Sequence, residues 1–424
     1  MVPFKNVLIE TISLDTMEMP MTEQPMTRRP LRVLIVGAGL AGPCLAHGLR
    51  KAGIDVSLYE RDPAAASRGQ GYRIHIAAEG TRALRSCLPP PLYELAVATS
   101  GRRGSGVTVL SSTLDVLNRI TFQPPPGPDD GSAGISVDRL TLRQVLLAGL
   151  DEAVRFGAPY ERFEMEADGT VRAVFADGSS AEGDLLVGAD GAGSRVRRQF
   201  LPGAVVADVG QLAVFGKTPL TDEVRRLVPG PSLDGFSTVL GSDGRFMPLA
   251  GLEYRTGPAE AAASHWPGLI FHDTRDYVMW VLGAPVAAFG IPAPQLLGMD
   301  GAGLRDLAAG LIADWHPDLA GVVRRGDPGT VSATSIRTSE PVEPWQPGPV
   351  TLVGDAIHCM IPAGIGAAVA LRDAGLLAQR LGEAAQGDKP LLQAVGEYET
   401  EMLGYGFAAV AASQRVGHDL SGRR

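Results

Sequence analysis

Leu31-Arg-Val-Leu-Ile-Val-Gly-Ala-Gly-Leu-Ala-Gly42 is the strongest structural signal in the chain. Leu31 to Val36 is a short apolar, β-branched run, the pattern of a strand buried on both faces. It ends in Gly37-Ala-Gly39-Leu-Ala-Gly42 and passes into Pro43-Cys-Leu-Ala-His-Gly-Leu-Arg50, an apolar stretch with helical spacing. Asp55-Val-Ser-Leu-Tyr-Glu60 is a second strand-like run, which closes a βαβ unit and ends on an acid. Gly37 permits the tight turn, Gly39 lets the backbone approach a pyrophosphate, and Gly42 lets helix and strand pack closely. The helix N-terminus offers unpaired N–H groups to the phosphates, and Glu60 can accept hydrogen bonds from a ribose. A bare GxGxxG also serves ordinary turns. Strand, helix and an acid about twenty residues on together predict dinucleotide binding, without choosing the dinucleotide.

The bulk properties narrow the class. A chain of 424 residues with 45% hydrophobic residues is long enough for two or three cored domains. A net charge of −9 argues against nucleic acid or an anionic membrane surface as the main partner. Cys44, Cys87 and Cys359 form no CxxC and no even framework, which fits free thiols in a reducing, cytoplasmic setting. The seven histidines show no ligand spacing, so no metal is expected. No apolar run reaches the roughly eighteen residues of a membrane span. Residues 1–30, with five methionines and no secretory pattern, read as a mobile extension.

Further along, Tyr72–Ile76 reads as a strand, Glu79–Leu88 as a helix broken by Pro89-Pro-Pro91, and Gly106–Phe122 as a hairpin. Gln123–Gly131 is a loop with strong breakers, and Ser136 is expected to cap a helix over Val137–Leu147. Val171–Phe175 and Ala181–Val187 read as a strand pair. Strand-like runs at Gln211–Lys217, Phe236–Leu240, Phe246–Leu252 and Gly268–Leu282 point to a separate, substrate-binding sheet. Leu304–Trp315 is a helix, Val350–Asp355 a buried strand with a turn, Gly364–Ala374 a helix opening and Leu391–Arg415 a last long helix.

Three motifs stand in order: Gly37–Gly42, Gly188-Ala-Asp-Gly191, and Val353-Gly-Asp-Ala-Ile-His358. With Glu60-Arg61, Asp138-Arg139-Leu140, Ser194-Arg-Val-Arg197, Pro362, Gly364-x-Gly366 and Asp373-Ala374, the chain resembles the single-component, class A FAD-dependent monooxygenases of the para-hydroxybenzoate hydroxylase fold. The resemblance runs from about Leu31 to the C-terminal helix. It implies an α/β architecture, a Rossmann-like FAD-binding domain with a discontinuous β-sheet substrate domain and a long C-terminal helix. The expected boundaries are 31–105, 135–205 and 330–385 for the FAD domain, 106–134 and 206–329 for the substrate domain, and 386–424 for the helical end. The chain departs from the family pattern at Ala368, where an asparagine is common.

The resemblance implies that FAD is held by Gly37, Gly39, Gly42, Glu60, Arg61, Arg139, Asp190, Asp355, Pro362, Gly364, Gly366 and Ala367. Asp355 would take the ribitol hydroxyls, and the helix opening at Gly366 would direct its positive end to the flavin edge that carries negative charge on reduction. Asp190 can also simply cap the helix near Ser194, Arg139 can be a solvated first-turn residue, and Arg195 and Arg197 are phosphate contacts or surface charges. NADPH or NADH would reduce the FAD, and O2 would add to form a C4a-hydroperoxyflavin that hydroxylates, epoxidises or inserts oxygen into an organic substrate. That substrate would be medium-sized, aromatic or polyketide-like, in secondary metabolism. No protein nucleophile is required. His75, His272 and Tyr277 are candidate bases, and His75, Met247, Phe271, Tyr277 and Trp280 candidate substrate contacts, with Met360 beside them; aromatic residues in strands also serve as plain core. The alternative is a flavoprotein of the same fold that uses FAD structurally for a cyclisation or isomerisation. The sequence does not set the oligomeric state.

Overall fold

The computed structural model describes residues 29–65, 67, 71–123 and 130–420. Most of the expected N-terminal extension and of the loop after Gln123 lies outside them. The βαβ unit forms as the opening stretch predicts: β1 (Arg32–Val36), α1 (Ala41–Lys51) and β2 (Asp55–Tyr59), with the strands parallel and in register from Arg32 opposite Asp55. Then come β3 (Arg73–Ile76), α2 (Ala78–Cys87) and α3 (Pro90–Ala98). The Pro89-Pro-Pro91 break ends α2, but Pro90 and Pro91 also fill the first turn of α3, where a missing N–H costs nothing.

The hairpin β4 (Gly106–Ser111) and β5 (Val116–Thr121) is antiparallel. Ser136 is not a helix cap. It lies in β6 (Ile135–Asp138), which pairs with β3, and Asp138 caps α4 (Arg139–Leu147) by accepting from the Thr141 N–H. Alternating Ile135 and Val137 extend the strand, and the carboxylate serves the helix end better than the hydroxyl two residues earlier. After β7 (Val154–Arg155), β8 (Tyr160–Met165) and β9 (Val171–Phe175), the run read as one strand over Ala181–Val187 is two: β10 (Ser180–Gly183) and β11 (Leu185–Gly188). The chain switches sheets at Asp184, whose carboxylate takes the Arg32 N–H at 2.8 Å, and at Gly183, where a Cβ would sit 2.8 Å from Leu34.

Beyond α5 (Arg195–Phe200) come β12 (Val206–Pro219), α6 (Asp222–Leu227), α7 (Gly230–Leu233), β13 (Phe236–Leu240), β14 (Phe246–Leu252), α8 (Pro258–His265) and β15 (Tyr277–Pro285). The run expected from Gly268 becomes a strand only at Tyr277, because Gly268 (φ +96) and Asp273 (φ +52) turn the chain before it. α9 (Ala293–Leu297), α10 (Gly301–Leu311) and α11 (Pro317–Arg324) precede β16 (Ser332–Ser339), β17 (Val350–Leu352), α12 (Asp355–His358), α13 (Gly366–Gln386) and α14 (Leu391–Leu420).

Two sheets organise the molecule. A parallel sheet in the order β17-β11-β1-β2-β7 carries the nucleotide motif, and a seven-stranded sheet in the order β16-β12-β15-β14-β13-β4-β5 stands beside it. β16 belongs to this second sheet, so the boundary expected at 329/330 falls before the last substrate-sheet strand rather than after it. Side chains alternate across the pleat. Leu212, Val214, Met247, Leu249, Trp280 and Leu282 face a core built with α10 and α11. Ala213, Phe215, Leu252, Tyr277, Met279 and Val281 face the other way, where Tyr72 and Ile361 pack against them.

Candidate functional site

The phosphate end is built from backbone. Gly37 adopts φ +111, and a Cβ there would lie 2.4 Å from the Ala189 carbonyl. At Gly42 a Cβ would lie 2.1 Å from the Gly37 carbonyl, so close helix–strand packing leaves no room for a side chain. Gly39 differs, because a Cβ there meets nothing within 4 Å. That open space lies at the mouth of α1, which has no capping side chain and no acid in its first turn. Its first N–H groups are thus available to an anion. Glu60 is buried, and its carboxylate accepts from the Ala38 N–H at 2.8 Å and the Asp62 N–H at 3.0 Å. Glu60 therefore shapes the glycine loop as well as facing it. Arg61 is exposed at the rim.

Sequence reasoning missed Arg143, one helical turn after Arg139. Its guanidinium donates to the carbonyls of Ala38 (2.6 Å) and Ala65 (2.6 Å) and stands 3.8 Å from Glu60, tying the glycine loop to α4. An arginine five residues after a capping aspartate carries no motif, so no sequence signal pointed to it.

Asp355, Arg139, Asp190 and the α13 opening carry the second set of expected cofactor contacts. Asp355 opens α12 with an exposed side chain, yet protein atoms crowd it. That crowding pushes its carboxyl up, against the attraction of His358 and Arg139. An accessible acid inside a protein-lined cleft suits a ligand with hydroxyl donors. Gly354 beside it holds φ +63 and donates its N–H to Asp373 at 2.6 Å. Asp373, fully buried, also takes His358 Nε2 at 2.6 Å and the Tyr405 hydroxyl at 2.6 Å. Burial alone would lower the imidazole, but the Asp373 carboxylate outweighs it and holds His358 above its ordinary value. This buried charge pair fixes the turn that presents Asp355. α13 begins at Gly366 without a capping side chain or an acid in its first turn, with Pro362 and Gly364 exposed before it and Ala367 half-buried in it. Ala368 turns away into the core, 2.9 Å from where a Cβ on Gly80 of α2 would sit, so a longer side chain has no space there.

Asp190 does cap its helix: Oδ2 accepts from the Arg195 N–H at 2.7 Å. Its Oδ1 is buried and has no partner among the described residues, which leaves an acceptor for a ligand donor. Arg197 is neither a phosphate contact nor a surface charge. It is buried and donates to Ala356 and Ala192, strapping the Asp190 segment to the Asp355 segment. The donor set therefore fits FAD: bare N–H groups at two helix mouths, a loop with space at Gly39, and carboxylates at Asp355 and Asp190 awaiting donors.

A model of the FAD binding domain matches residues 311–411, and one of the NAD(P)-binding Rossmann-like domain matches residues 35–83. The crystal structure of a protein from Photorhabdus luminescens subsp. laumondii TTO1, assigned as an FAD-containing monooxygenase, is 31% identical with a TM-score of 0.78, covering 92% of this chain and 98% of that one. The chain belongs to the class A FAD-dependent monooxygenases. It is also 31% identical over 389 residues to the dual O-methyltransferase/FAD-dependent monooxygenase CTB3 of Cercospora beticola, matching 87% of this chain but 44% of the relative's length. The aurachin C monooxygenase/isomerase of Stigmatella aurantiaca is 28% identical over 391 residues, covering 91% of this chain and 89% of the relative.

Several residues expected to contact substrate are packed in hydrophobic cores instead. Met247 and Trp280 are fully buried on the far face of the seven-stranded sheet, where the Trp280 indole donates to Thr218. A one-residue offset along a strand reverses the face. Phe271 packs on the core of the parallel-sheet unit, and His272 beside it is exposed. Met360 lies under Gly366, in a small core with Val369 and Val410. Tyr277 is on the right face, but it is buried and its hydroxyl donates to Asp138 at 2.9 Å. Burial and that carboxylate push its pKa well up, so it is no base at neutral pH. His75 stands exposed on the β3–β6 ribbon, 3.4 Å from the Ser136 hydroxyl. The opposite face of the sheet carries Phe215, Met279 and Val281, with Tyr72 stacked on Phe215 at 4.7 Å. Tyr72 is also close enough to Arg139 and Asp355 for both charges to act on its hydroxyl. Among the described residues no helix is long and apolar enough to cross a membrane, and no group of side chains could hold a metal ion.

Proposed function

We propose that the chain is an FAD-dependent monooxygenase that uses NADPH or NADH and O2 to place one oxygen atom on a medium-sized, aromatic or polyketide-like substrate. The observation that carries this is Tyr72, which stacks on Phe215 at 4.7 Å and lies near enough to Arg139 and Asp355 to feel both charges, so that the apolar Phe215, Met279 and Val281 face stands beside the expected cofactor residues. Gly37, Gly39, Gly42, Glu60 and Arg61 would hold the nucleotide half of FAD. Arg139, Asp190, Asp355, Pro362, Gly364, Gly366 and Ala367 would hold the flavin half. The cofactor unit would combine 31–105, 135–205 and the segment after β16. When bound, FAD supplies the redox chemistry and O2 activation.

The residues of this chain would do the rest. The α1 mouth and Gly39 fix the pyrophosphate, and Arg143 and Glu60 keep that loop in shape. The α13 mouth faces charge that grows on the cofactor during reduction. The Phe215 wall excludes water and sets a flat aromatic substrate against the cofactor end. No side chain needs to act as a nucleophile. The fused O-methyltransferase in the CTB3 name suits a hydroxylated product, since a new phenolic hydroxyl is a methyl acceptor.

Turnover of the purified holoprotein with a panel of phenols and polycyclic aromatics, in air and under anaerobiosis, tests the reading. A substrate of the right class should raise NAD(P)H oxidation sharply and give an oxygenated product that needs O2. Product that still forms without O2 or NAD(P)H would instead support the non-oxygenating isomerase reading, to which the aurachin relative's name lends some weight.

A further inference from the structure

We propose that Arg73 is an anion-recognising residue of the substrate site, taking a carboxylate or ionised phenol oxygen of the substrate on its guanidinium. This rests on the monooxygenase reading and narrows its substrate class. Arg73 opens β3, directly opposite Asp138 of β6 in the antiparallel ladder. That aspartate is the natural partner for it. Its carboxylate, however, is fully engaged elsewhere: Lys217 Nζ at 2.7 Å, the Tyr277 hydroxyl at 2.9 Å, and the Thr141 N–H and hydroxyl at 2.9 and 3.2 Å. Four donors fill the lone-pair sites of a carboxylate.

Among the described residues no carboxylate comes within ion-pair distance of Arg73. Protein crowds the guanidinium, which lowers its affinity for its proton, and the neighbouring group acting on it is the neutral Tyr277. The residue is half-buried, and its nearness to Tyr277 places it beside the Phe215 and Met279 face of the seven-stranded sheet. Arg103 acts together with Arg73 on His75, two residues along the same face of the ribbon, and Glu79 opposes them there. The charge of Lys217 is spent on Asp138, with Asp273 3.5 Å away. A guanidinium held in a low-dielectric cleft without a counter-ion is costly by itself. An incoming oxyanion relieves that cost through charge-assisted, bidentate hydrogen bonds that an arginine is shaped to give.

The test uses the FAD-loaded protein with 2-naphthoate and 2-naphthamide, two probes of one shape of which one is charged. Binding is read by calorimetry and by the shift of the flavin absorption band. Wild type should bind 2-naphthoate about tenfold or more tighter than 2-naphthamide. Arg73→Gln should level the two, and Arg73→Lys should restore part of the preference. Equal binding in wild type, or a preference that survives in Arg73→Gln, overturns the proposal. 2′,5′-ADP is the control for the other source of anion. If Arg73→Gln weakens 2′,5′-ADP and leaves 2-naphthoate alone, the residue serves a nucleotide phosphate and the proposal fails. Flavin content and melting temperature report whether each variant is folded. Absence of NAD(P)H oxidation in wild type would sink the monooxygenase reading, whereas calorimetry judges Arg73 independently of turnover.

Discussion

Asp355 is the residue on which the cofactor assignment turns, because it is crowded by protein and still open to a ligand. Asp355→Ala should weaken FAD binding about tenfold to a hundredfold, the loss of charge-assisted hydrogen bonds. Unchanged flavin occupancy after gel filtration would refute its role. A second acid makes a prediction about pH. Glu399 on α14 is buried, accepts from the Thr351 hydroxyl at 2.8 Å, and is pushed up to about 7 by burial, against that hydrogen bond. The native state then keeps a proton that the unfolded chain has released. Stability contributed at this site therefore falls as pH rises from the ordinary glutamate range to about 7, and is level above it. Glu399→Gln should stabilise the protein relative to wild type at pH 8 and not at pH 4, by up to about 3 kcal/mol, read by thermal and denaturant unfolding. A gap of equal size at both pH values would contradict this.

At the scale of elements, the βαβ unit separates glycines that serve packing from a glycine that serves a ligand. Gly42→Ala places a methyl group 2.1 Å from a carbonyl oxygen and should prevent β1 and α1 from packing. Little soluble protein is expected. Gly39→Ala meets nothing within 4 Å, so the apoprotein should melt close to wild type while FAD affinity drops roughly tenfold or more. Calorimetry with and without added FAD distinguishes the two. A destabilised Gly39→Ala apoprotein would mean that the open space is structural after all. The three cofactor motifs were legible because their chemistry is local: a glycine at a tight turn, a helix that starts bare, an acid just past a strand. The Ser136 cap was misjudged because Ile135 and Val137 pair with β3, a contact sixty residues away in sequence that no local pattern reveals.

For the whole molecule, the two units are stapled by a buried ion pair. Lys217 of β12 and Asp138 at the start of α4 meet at 2.7 Å, each almost wholly buried, with Tyr277 completing the contact. Lys217→Met leaves Asp138 buried without its counter-charge and should cost about 3–5 kcal/mol. Adding Asp138→Asn should recover part of that loss, since the amide still accepts from Thr141 and carries no charge. A double variant no better than the single one would show that packing of the lysine stem, not charge, holds the units together. Because Asp138 also caps the helix that begins with Arg139, the same variant should loosen FAD binding, and titration of the apoprotein would read it.

Local sequence was enough for the dinucleotide fold, the order of the motifs and the identity of the cofactor. Each of these depends on neighbours a few positions apart, where backbone freedom and side-chain type act directly. Which face of the seven-stranded sheet each residue takes came only with the folded chain. Met247 and Trp280 differ from Phe215 and Met279 only in which way the pleat turns them, and that is set by the helices packed on one face of the sheet and the cofactor unit on the other. It also decided that Lys217 is spent and Arg73 is not, because one carboxylate stands between strands that meet only in the folded chain.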